Sequence, residues 1–209
     1  MRPRFRGSLH RLTAPLAAVA FIVLGALSST AGERVAIAVY GVCVTAMLTV
    51  SGTYHSARIS AATRRRLKRV DHSTILLAIA GSYTAVTTFA LTGTARTVML
   101  IAGWVLAGAG IAIRNIWLDG PRPMIAAVYI VVGWFVVVDL PGYVDGLSTG
   151  QLSLVVIGGL LYTAGAIVFG LKRPDPWPAT FGYHEVFHSF VVAGVVSHYL
   201  AVFSLARAG

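Results

Sequence analysis

The chain has 209 residues, of which 56% are hydrophobic and 11% are charged, and its mean hydropathy is +0.77. A globular domain carries roughly 25% charged residues, so this composition leaves too little polar surface for a water-soluble exterior. It also excludes a disordered chain and a coiled coil, and the single cysteine, Cys43, excludes a disulfide-stapled scaffold. We therefore expect an integral membrane protein.

The apolar stretches predict an all-α membrane protein with a seven-transmembrane helix bundle. A helix needs about 20 residues to cross the hydrocarbon core. The predicted spans lie at about residues 12–32, 35–56, 71–92, 96–113, 124–140, 147–170 and 184–205. The fifth span is the weakest, and Asp139, Pro141 and Gly142 are expected to mark its far end. Connections are short, so residues 1–209 are expected to form a single domain.

The distribution of lysine and arginine predicts the orientation. With seven spans, 14 basic residues fall on one side and three, Arg34, Arg96 and Arg207, on the other. Because cytoplasmic loops carry the excess of basic residues, we expect a cytoplasmic N terminus and an external C terminus. This asymmetry explains the net charge of +10 better than nucleic-acid binding does. The loop at 58–69 could also contact anionic lipid headgroups, but topology is the favoured interpretation.

Three clusters of polar residues lie at membrane depth, where ionisable side chains are costly and usually functional. They are Ser51 to His55 at the end of the second span, Asp71 to Ser73 at the start of the third, and His184 to His188 at the start of the seventh. The alternation of the spans places all three clusters on the same side of the membrane.

The spacing of the histidines predicts a metal site. His184 and His188 are four residues apart, so they project from one helix face about 6 Å apart along its axis. Two imidazoles in this arrangement can bind one metal ion, and His55 lies at the same depth. Three neutral imidazoles with an open fourth position are typical of catalytic zinc sites. We therefore predict Zn²⁺ bound by His55, His184 and His188.

Ser51 and Asp71 have two interpretations each. The Ser51 hydroxyl could bond back to a carbonyl of its own helix or face the metal site. Asp71 is expected to be the N-cap of the third helix, which is compatible with a role in catalysis.

The remaining histidines are expected to lie outside the metal site. His72 points about 100° away from Asp71, which favours an interfacial position, and His10 lies in the basic N-terminal tail, where no role is expected. His198 lies 14 residues after His184, about 21 Å further along the helix. It is expected to be buried and hydrogen-bonded to a neighbouring helix.

The segment from His184 to His188 also fits the H-E-x-x-H pattern of zinc proteases, with Glu185 as the general base. An intramembrane protease of that type usually adds an aspartate ligand on a later helix. Here no helix follows the seventh span, so the third ligand has to come from upstream.

Together, the motifs Ser51-x-x-x-His55, Asp71 and His184-x-x-x-His188 resemble those of the hemolysin III family. This is the bacterial branch of the progestin and adipoQ receptor (PAQR) superfamily, and the resemblance covers nearly the whole chain. It implies a multi-pass protein of the bacterial inner membrane, with zinc on the three matching histidines. It also implies that Ser51 and Asp71 support the ligands or act in catalysis, and that Glu185 is not a ligand.

Three functions are compatible with these features. The first is a zinc-dependent hydrolase of lipid amide or ester bonds. In this hypothesis Asp71 accepts a proton, and Ser51 orients the water or stabilises the oxyanion. The resemblance favours it, because the superfamily is similar to alkaline ceramidases. The second is a non-enzymatic sensor or a hemolysin-like cytolytic protein with structural zinc. A pore is disfavoured because it predicts a continuous polar stripe along several helices, and the outer halves of the spans are nearly devoid of such residues. The third is the intramembrane protease. Membrane lipids are the expected partners.

Overall fold

The computed structural model describes residues 3–56 and 60–208. Within these ranges the chain is almost wholly helical, and the only β-type pairing is an isolated bridge between Trp177 and Phe181. The elements are α1 (Ser8–Leu27), α2 (Ala31–Ser56), α3 (Ala61–Ala90), α4 (Gly93–Ile116), α5 (Arg122–Gly133), a 3₁₀ turn (Phe135–Asp139), α6 (Leu140–Gly146), α7 (Thr149–Leu171) and α8 (Tyr183–Ala208).

Within the described part of the chain, seven helical segments are long and apolar enough to cross a membrane. The α5, 3₁₀ and α6 elements together form the fifth of them. Large apolar side chains on the outer surface, such as Leu12, Leu16 and Ile22 of α1, are exposed, as expected where lipid rather than water surrounds the protein. The predicted fold class, an all-α seven-span membrane bundle, is confirmed.

The bundle is built around α2 and α3, with α1 packed against α2, and α7 against α8. The central core includes fully buried Tyr40, Val44 and Leu48 of α2. Gly81 of α3 lies against α2, where an added Cβ would be 2.9 Å from the Cβ of Cys43. Small residues at such contacts let helices approach closely in lipid.

The boundary between α1 and α2 is set by a capping interaction. The Glu33 carboxylate accepts hydrogen bonds from the backbone N–H groups of Ser29 (3.0 Å) and Thr30 (3.1 Å), and the Thr30 hydroxyl accepts from the Glu33 N–H (3.2 Å). This reciprocal pairing satisfies the free N–H groups at a helix start. Consequently α1 ends at Leu27. Of the residues up to 32 that were predicted to continue it, 28–30 form the connection and 31–32 begin α2.

The third helix begins at Ala61, before the predicted start at residue 71. Ser60 is its N-cap, with a hydroxyl that accepts a hydrogen bond from the Thr63 N–H at 3.2 Å. The following run of arginine, leucine and lysine has high helix propensity, so the helix extends beyond the apolar stretch. Asp71 therefore lies inside α3, and the prediction that it caps the helix is wrong.

The fifth span is interrupted in its middle. Its backbone leaves the α-helical path after Gly133 and resumes it at Leu140. Unpaired backbone groups at membrane depth are tolerated only where protein satisfies them, and Tyr83 of α3 does so. Its hydroxyl donates to the Gly133 carbonyl at 2.7 Å and accepts from the Val136 N–H at 2.8 Å. The residues expected to end this span, Asp139 to Gly142, instead lead into α6.

Tyr83→Phe should lower the stability of the bundle by about 1–3 kcal/mol, because it leaves two partly buried backbone groups without the Tyr83 hydroxyl as partner. Its control is Tyr199→Phe, since the Tyr199 hydroxyl donates at 3.1 Å to the Ala20 carbonyl inside the regular helix α1. Thermal unfolding of the purified protein in detergent measures both. Equal melting temperatures for the two variants would contradict this role of Tyr83.

Candidate metal centre

The end of α2, the first third of α3 and the start of α8 meet at one end of the bundle. They bring together His55, Asp71, His184 and His188, all of which are buried; His188 is only 1% exposed. The N-terminal segment lies at the same end, since the Arg4 and Phe5 N–H groups donate to the carbonyls of the loop before α8. The predicted convergence of these residues on one level is therefore found.

Three imidazoles form the centre of this cluster. His55, His184 and His188 each offer a ring nitrogen, and these nitrogens lie within 4.8 Å of one another. The Nε2 atoms of His55 and His184 are 3.1 Å apart. Nε2 of His188 is buried and has no hydrogen-bond partner among the described residues.

This geometry fits a metal ion. Two nitrogens that share a tetrahedral zinc at 2.0–2.1 Å are separated by roughly 3.3 Å, close to the observed distance between His55 and His184. A buried nitrogen without a partner, as in His188, is costly unless a ligand occupies it. The three histidines can therefore hold a divalent cation.

Asp71 and Ser51 lie beside the histidines. The Oδ2 atom of Asp71 is 3.7 Å from Nε2 of His55, and the Ser51 side chain is hydrogen-bonded to the Asp71 carboxylate. Of the two interpretations of Ser51, the structure supports the one in which its side chain faces the site. A buried carboxylate held by a hydroxyl next to a metal site can accept a proton.

His10 belongs to this cluster, and the prediction that it lies in an inert tail is wrong. Helix α1 begins at Ser8, so His10 is inside the bundle, 2% exposed, and its ring stacks on that of His188 with centroids 3.8 Å apart. The buried residues His10, Ala14, Phe21 and Leu24 form one stripe of α1. That helical spacing in the sequence is a signal from which the inward position of His10 could have been inferred.

Glu185 makes contacts of a different kind. Its Oε2 atom accepts a hydrogen bond from the Gly182 N–H at 2.8 Å, directly before α8, and its Oε1 atom is 3.9 Å from Nε of Arg6. A glutamate at the third position of a helix commonly caps it in this way. These contacts favour a structural role for Glu185 over that of the general base in a protease.

The two other histidines lie outside the cluster. His72 was predicted to be solvated at the membrane interface. Its side chain is instead partly buried and bonded within the protein, with Nδ1 2.6 Å from Nη2 of Arg114 and 3.2 Å from the Tyr129 hydroxyl. His198 is buried, and its Nε2 atom is 3.0 Å from the Val155 carbonyl of α7. This confirms the prediction that His198 bonds to a neighbouring helix.

A cavity of about 1120 Å³ connects the cluster with the interior of the bundle. Its wall includes Ser51, Asp71 and the three histidines, and it extends between α3, α5, α7 and α8 as far as Tyr143 and His198. Most of the lining beyond the cluster is apolar or aromatic, including Trp134 and Tyr162 at the interrupted fifth span. The cavity is large enough for a small ligand or for part of a lipid.

Comparison with known proteins gives the same family as the motifs. The chain matches the family model described as Haemolysin-III related over residues 1–199. It is 30% identical to the Hemolysin-3 homolog of Bacillus subtilis (strain 168), over 89% of this chain and 84% of the relative, and 30% identical to Hemolysin-3 of Bacillus cereus, over 92% and 86%. A more distant relative is the Adiponectin receptor protein of Drosophila melanogaster, 29% identical over 41% of this chain and 22% of the relative. No solved structure matches the chain significantly.

His188→Ala should abolish metal binding, because it removes one of three ligands and leaves an incomplete site. The matched control is His198→Ala, which removes another buried histidine of α8 that is bonded to Val155. Elemental analysis of the purified proteins measures the metal content per chain. Metal retained by His188→Ala, or lost equally by the control, would contradict the assignment of the site.

His10→Ala should weaken metal binding by roughly tenfold, the lower end of the effect seen when an outer partner of a ligand is removed. The reason is that the stacked ring restricts the orientation of His188. His10→Phe keeps a ring in the same place and should retain most of the affinity. Competition with a chelator provides the dissociation constants, and equal affinities for both variants would show that stacking has no such role.

Proposed function

The chain belongs to the haemolysin-III-related family, and we propose that it is a zinc-dependent hydrolase of lipid amide or ester bonds. One observation carries this proposal: the histidine cluster and the buried Asp71 carboxylate face a cavity of about 1120 Å³ with a largely apolar inner wall. An acyl chain fits the apolar part, which would place the bond next to its carbonyl at the level of the histidines.

His55, His184 and His188 would hold the zinc. When bound, zinc supplies two kinds of chemistry: it lowers the pKa of a coordinated water and polarises a carbonyl oxygen. A set of three histidines leaves a further coordination position open, as is usual in catalytic rather than structural zinc sites.

Asp71 is the proposed proton acceptor. In the hydrolysis, an oxygen of water forms a bond with the carbonyl carbon, and the bond from that carbon to the amine nitrogen or alcohol oxygen breaks. The Asp71 carboxylate takes the proton that the water loses and returns it to the leaving nitrogen or oxygen. The hydrogen bond from Ser51 keeps the carboxylate oriented, so we propose Ser51 as a positioning residue for Asp71. The predicted roles of orienting the water or stabilising the oxyanion stay predictions.

We also propose that the protein resides in the inner membrane of a bacterial cell with its N terminus in the cytoplasm. The asymmetry of the basic residues supports this orientation. It would place the metal centre at the cytoplasmic side, within reach of the lipids of the inner leaflet, which are the proposed substrates.

A second function, a non-enzymatic membrane sensor with a structural metal, is favoured by one observation. Helices α2 and α8 have few contacts with each other, and His55 of α2 meets His184 and His188 of α8 at the metal centre. A metal ion there would tie the two helices together, and metal binding of this kind contributes directly to folding.

Asp71→Asn separates the two functions. Asparagine has nearly the same shape but cannot accept the proton, so we expect metal content to stay at the wild-type level while hydrolysis falls about 10²–10⁴-fold. Release of fatty acid from a panel of ceramides and glycerolipids, by purified wild type and variant in detergent, is the measurement.

The control for this experiment is Glu185→Gln, which should leave the rate nearly unchanged, because Glu185 contacts Gly182 and Arg6 rather than the three histidines. A metal-loaded wild type that hydrolyses no lipid of the panel would favour the sensor. Loss of hydrolysis only in Glu185→Gln would favour a protease-like arrangement instead.

A further inference from the structure

Three arginines from distant parts of the chain line the mouth of the cavity, defined here by Arg6, Arg64 and Arg122. Arg6 precedes α1, Arg64 lies in the first turn of α3 and Arg122 begins α5. All three side chains are partly buried, whereas Arg65, Arg66 and Arg69, which also line the cavity, are exposed. Topology explains why basic residues are concentrated at this end, but it does not require three of them to turn inward onto one cavity.

The three arginines are held in place by other parts of the protein. Arg122 donates to the Tyr183 hydroxyl at 3.0 Å, and its guanidinium lies 5.8 Å from the ring centre of Phe169. The guanidinium of Arg64 lies 5.9 Å from the ring centre of Tyr54. Such contacts with rings orient a guanidinium while leaving its N–H groups available.

The segment that carries Arg6 is fixed by backbone pairing. The Arg4 N–H donates to the Ala179 carbonyl at 3.0 Å, and the Phe5 N–H donates to the Thr180 carbonyl at 3.1 Å. As a result, the Arg6 side chain reaches the cavity and lies within electrostatic range of both Asp71 and His184.

Positive charge is in excess at the mouth, because Arg65, Arg66, Lys68 and Arg69 line it as well, although Arg6 is 3.9 Å from the Glu185 carboxylate. Asp119 is an acidic residue there, but it is already paired, with Oδ1 2.6 Å from Nζ of Lys68 and Oδ2 3.8 Å from Nη2 of Arg65. The nearby Lys68 ammonium lowers the pKa of the Asp119 carboxyl. The contacts described for Arg64 and Arg122 are with tyrosine hydroxyls and aromatic rings rather than with carboxylates.

From this arrangement we propose that the mouth of the cavity recognises a lipid with an anionic headgroup. The phosphate lies between the guanidiniums of Arg64 and Arg122, near Arg6, and an acyl chain of the same molecule enters the cavity. Guanidinium groups suit this task because they donate parallel hydrogen bonds to phosphate oxygens. This inference rests on the proposed function for the identity of the occupant as a lipid, and it adds the class of headgroup.

Equilibrium binding tests the inference without requiring turnover. The purified full-length protein in detergent is mixed with dioleoyl phosphatidic acid or dioleoyl phosphatidylcholine, which have the same acyl chains, and occupancy is measured by native mass spectrometry. We expect the wild type to prefer the anionic lipid, and Arg64→Gln and Arg122→Gln each to weaken its binding roughly tenfold, the effect of losing one charge-assisted hydrogen bond. Binding of the zwitterionic lipid should change little.

Arg4→Gln and Arg173→Gln are the controls, because both arginines are exposed at the same end of the bundle and neither lines the cavity. An equal loss in the controls would show general surface electrostatics and overturn the inference, as would a wild type without headgroup preference. Glycerol 3-phosphate carries the phosphate without acyl chains and should not bind measurably; binding as tight as that of the lipid would assign the site to a soluble phosphate.

The outcome is separable from that of the proposed function. A wild type that prefers the anionic lipid but hydrolyses nothing overturns the hydrolase and leaves headgroup recognition intact. A wild type that hydrolyses anionic and zwitterionic lipids equally, with no difference in binding, keeps the hydrolase and overturns the headgroup inference. Melting temperatures of Arg64→Gln and Arg122→Gln confirm that they are folded, and Arg122→Lys, which keeps the charge, should retain part of the preference.

Discussion

The organisation of this bundle depends on three buried imidazoles that meet at one end of it. The Nε2 atoms of His55 and His184 are 3.1 Å apart, and the buried Nε2 atom of His188 lacks a hydrogen-bond partner among the described residues. Without a ligand, the unpartnered nitrogen of His188 costs free energy in a site shielded from water. One divalent cation bound there would satisfy all three together and would link the end of α2 to the start of α8. The surrounding features, namely Asp71, the stacked His10 ring and the cavity, are arranged around this point.

The sequence was sufficient to predict the histidine cluster for two physical reasons. Spacing by four residues places His184 and His188 on one face of a helix, and the alternation of spans places the end of the second helix at the same membrane level as the start of the seventh. Neither step requires knowledge of side-chain packing. Asp71 was found in the same way, because its depth in the membrane depends on the count of spans and not on the residue at which α3 begins.

Features that depend on tertiary contacts were not predictable in this way. His10 follows several arginines, so charge placed it outside the membrane, whereas its stacking on His188 draws it into the bundle. The interruption of the fifth span is stabilised by the Tyr83 hydroxyl of α3, a contact made from 50 residues away in the chain. The basic run before Asp71 is helical because Ser60 caps it, which hydropathy does not report. The cavity results from these contacts, so the periodicity of apolar residues in the sequence does not predict it either.

X-ray absorption spectroscopy at the metal edge of the purified protein tests the central claim most directly, since it reports which atoms surround the ion. The account predicts zinc with three imidazole nitrogens at about 2.0–2.1 Å and one additional oxygen or nitrogen ligand. Absence of a stoichiometric metal would contradict it, as would a first shell that contains sulfur or fewer than three imidazoles. In that case the three histidines would have to satisfy one another through hydrogen bonds alone.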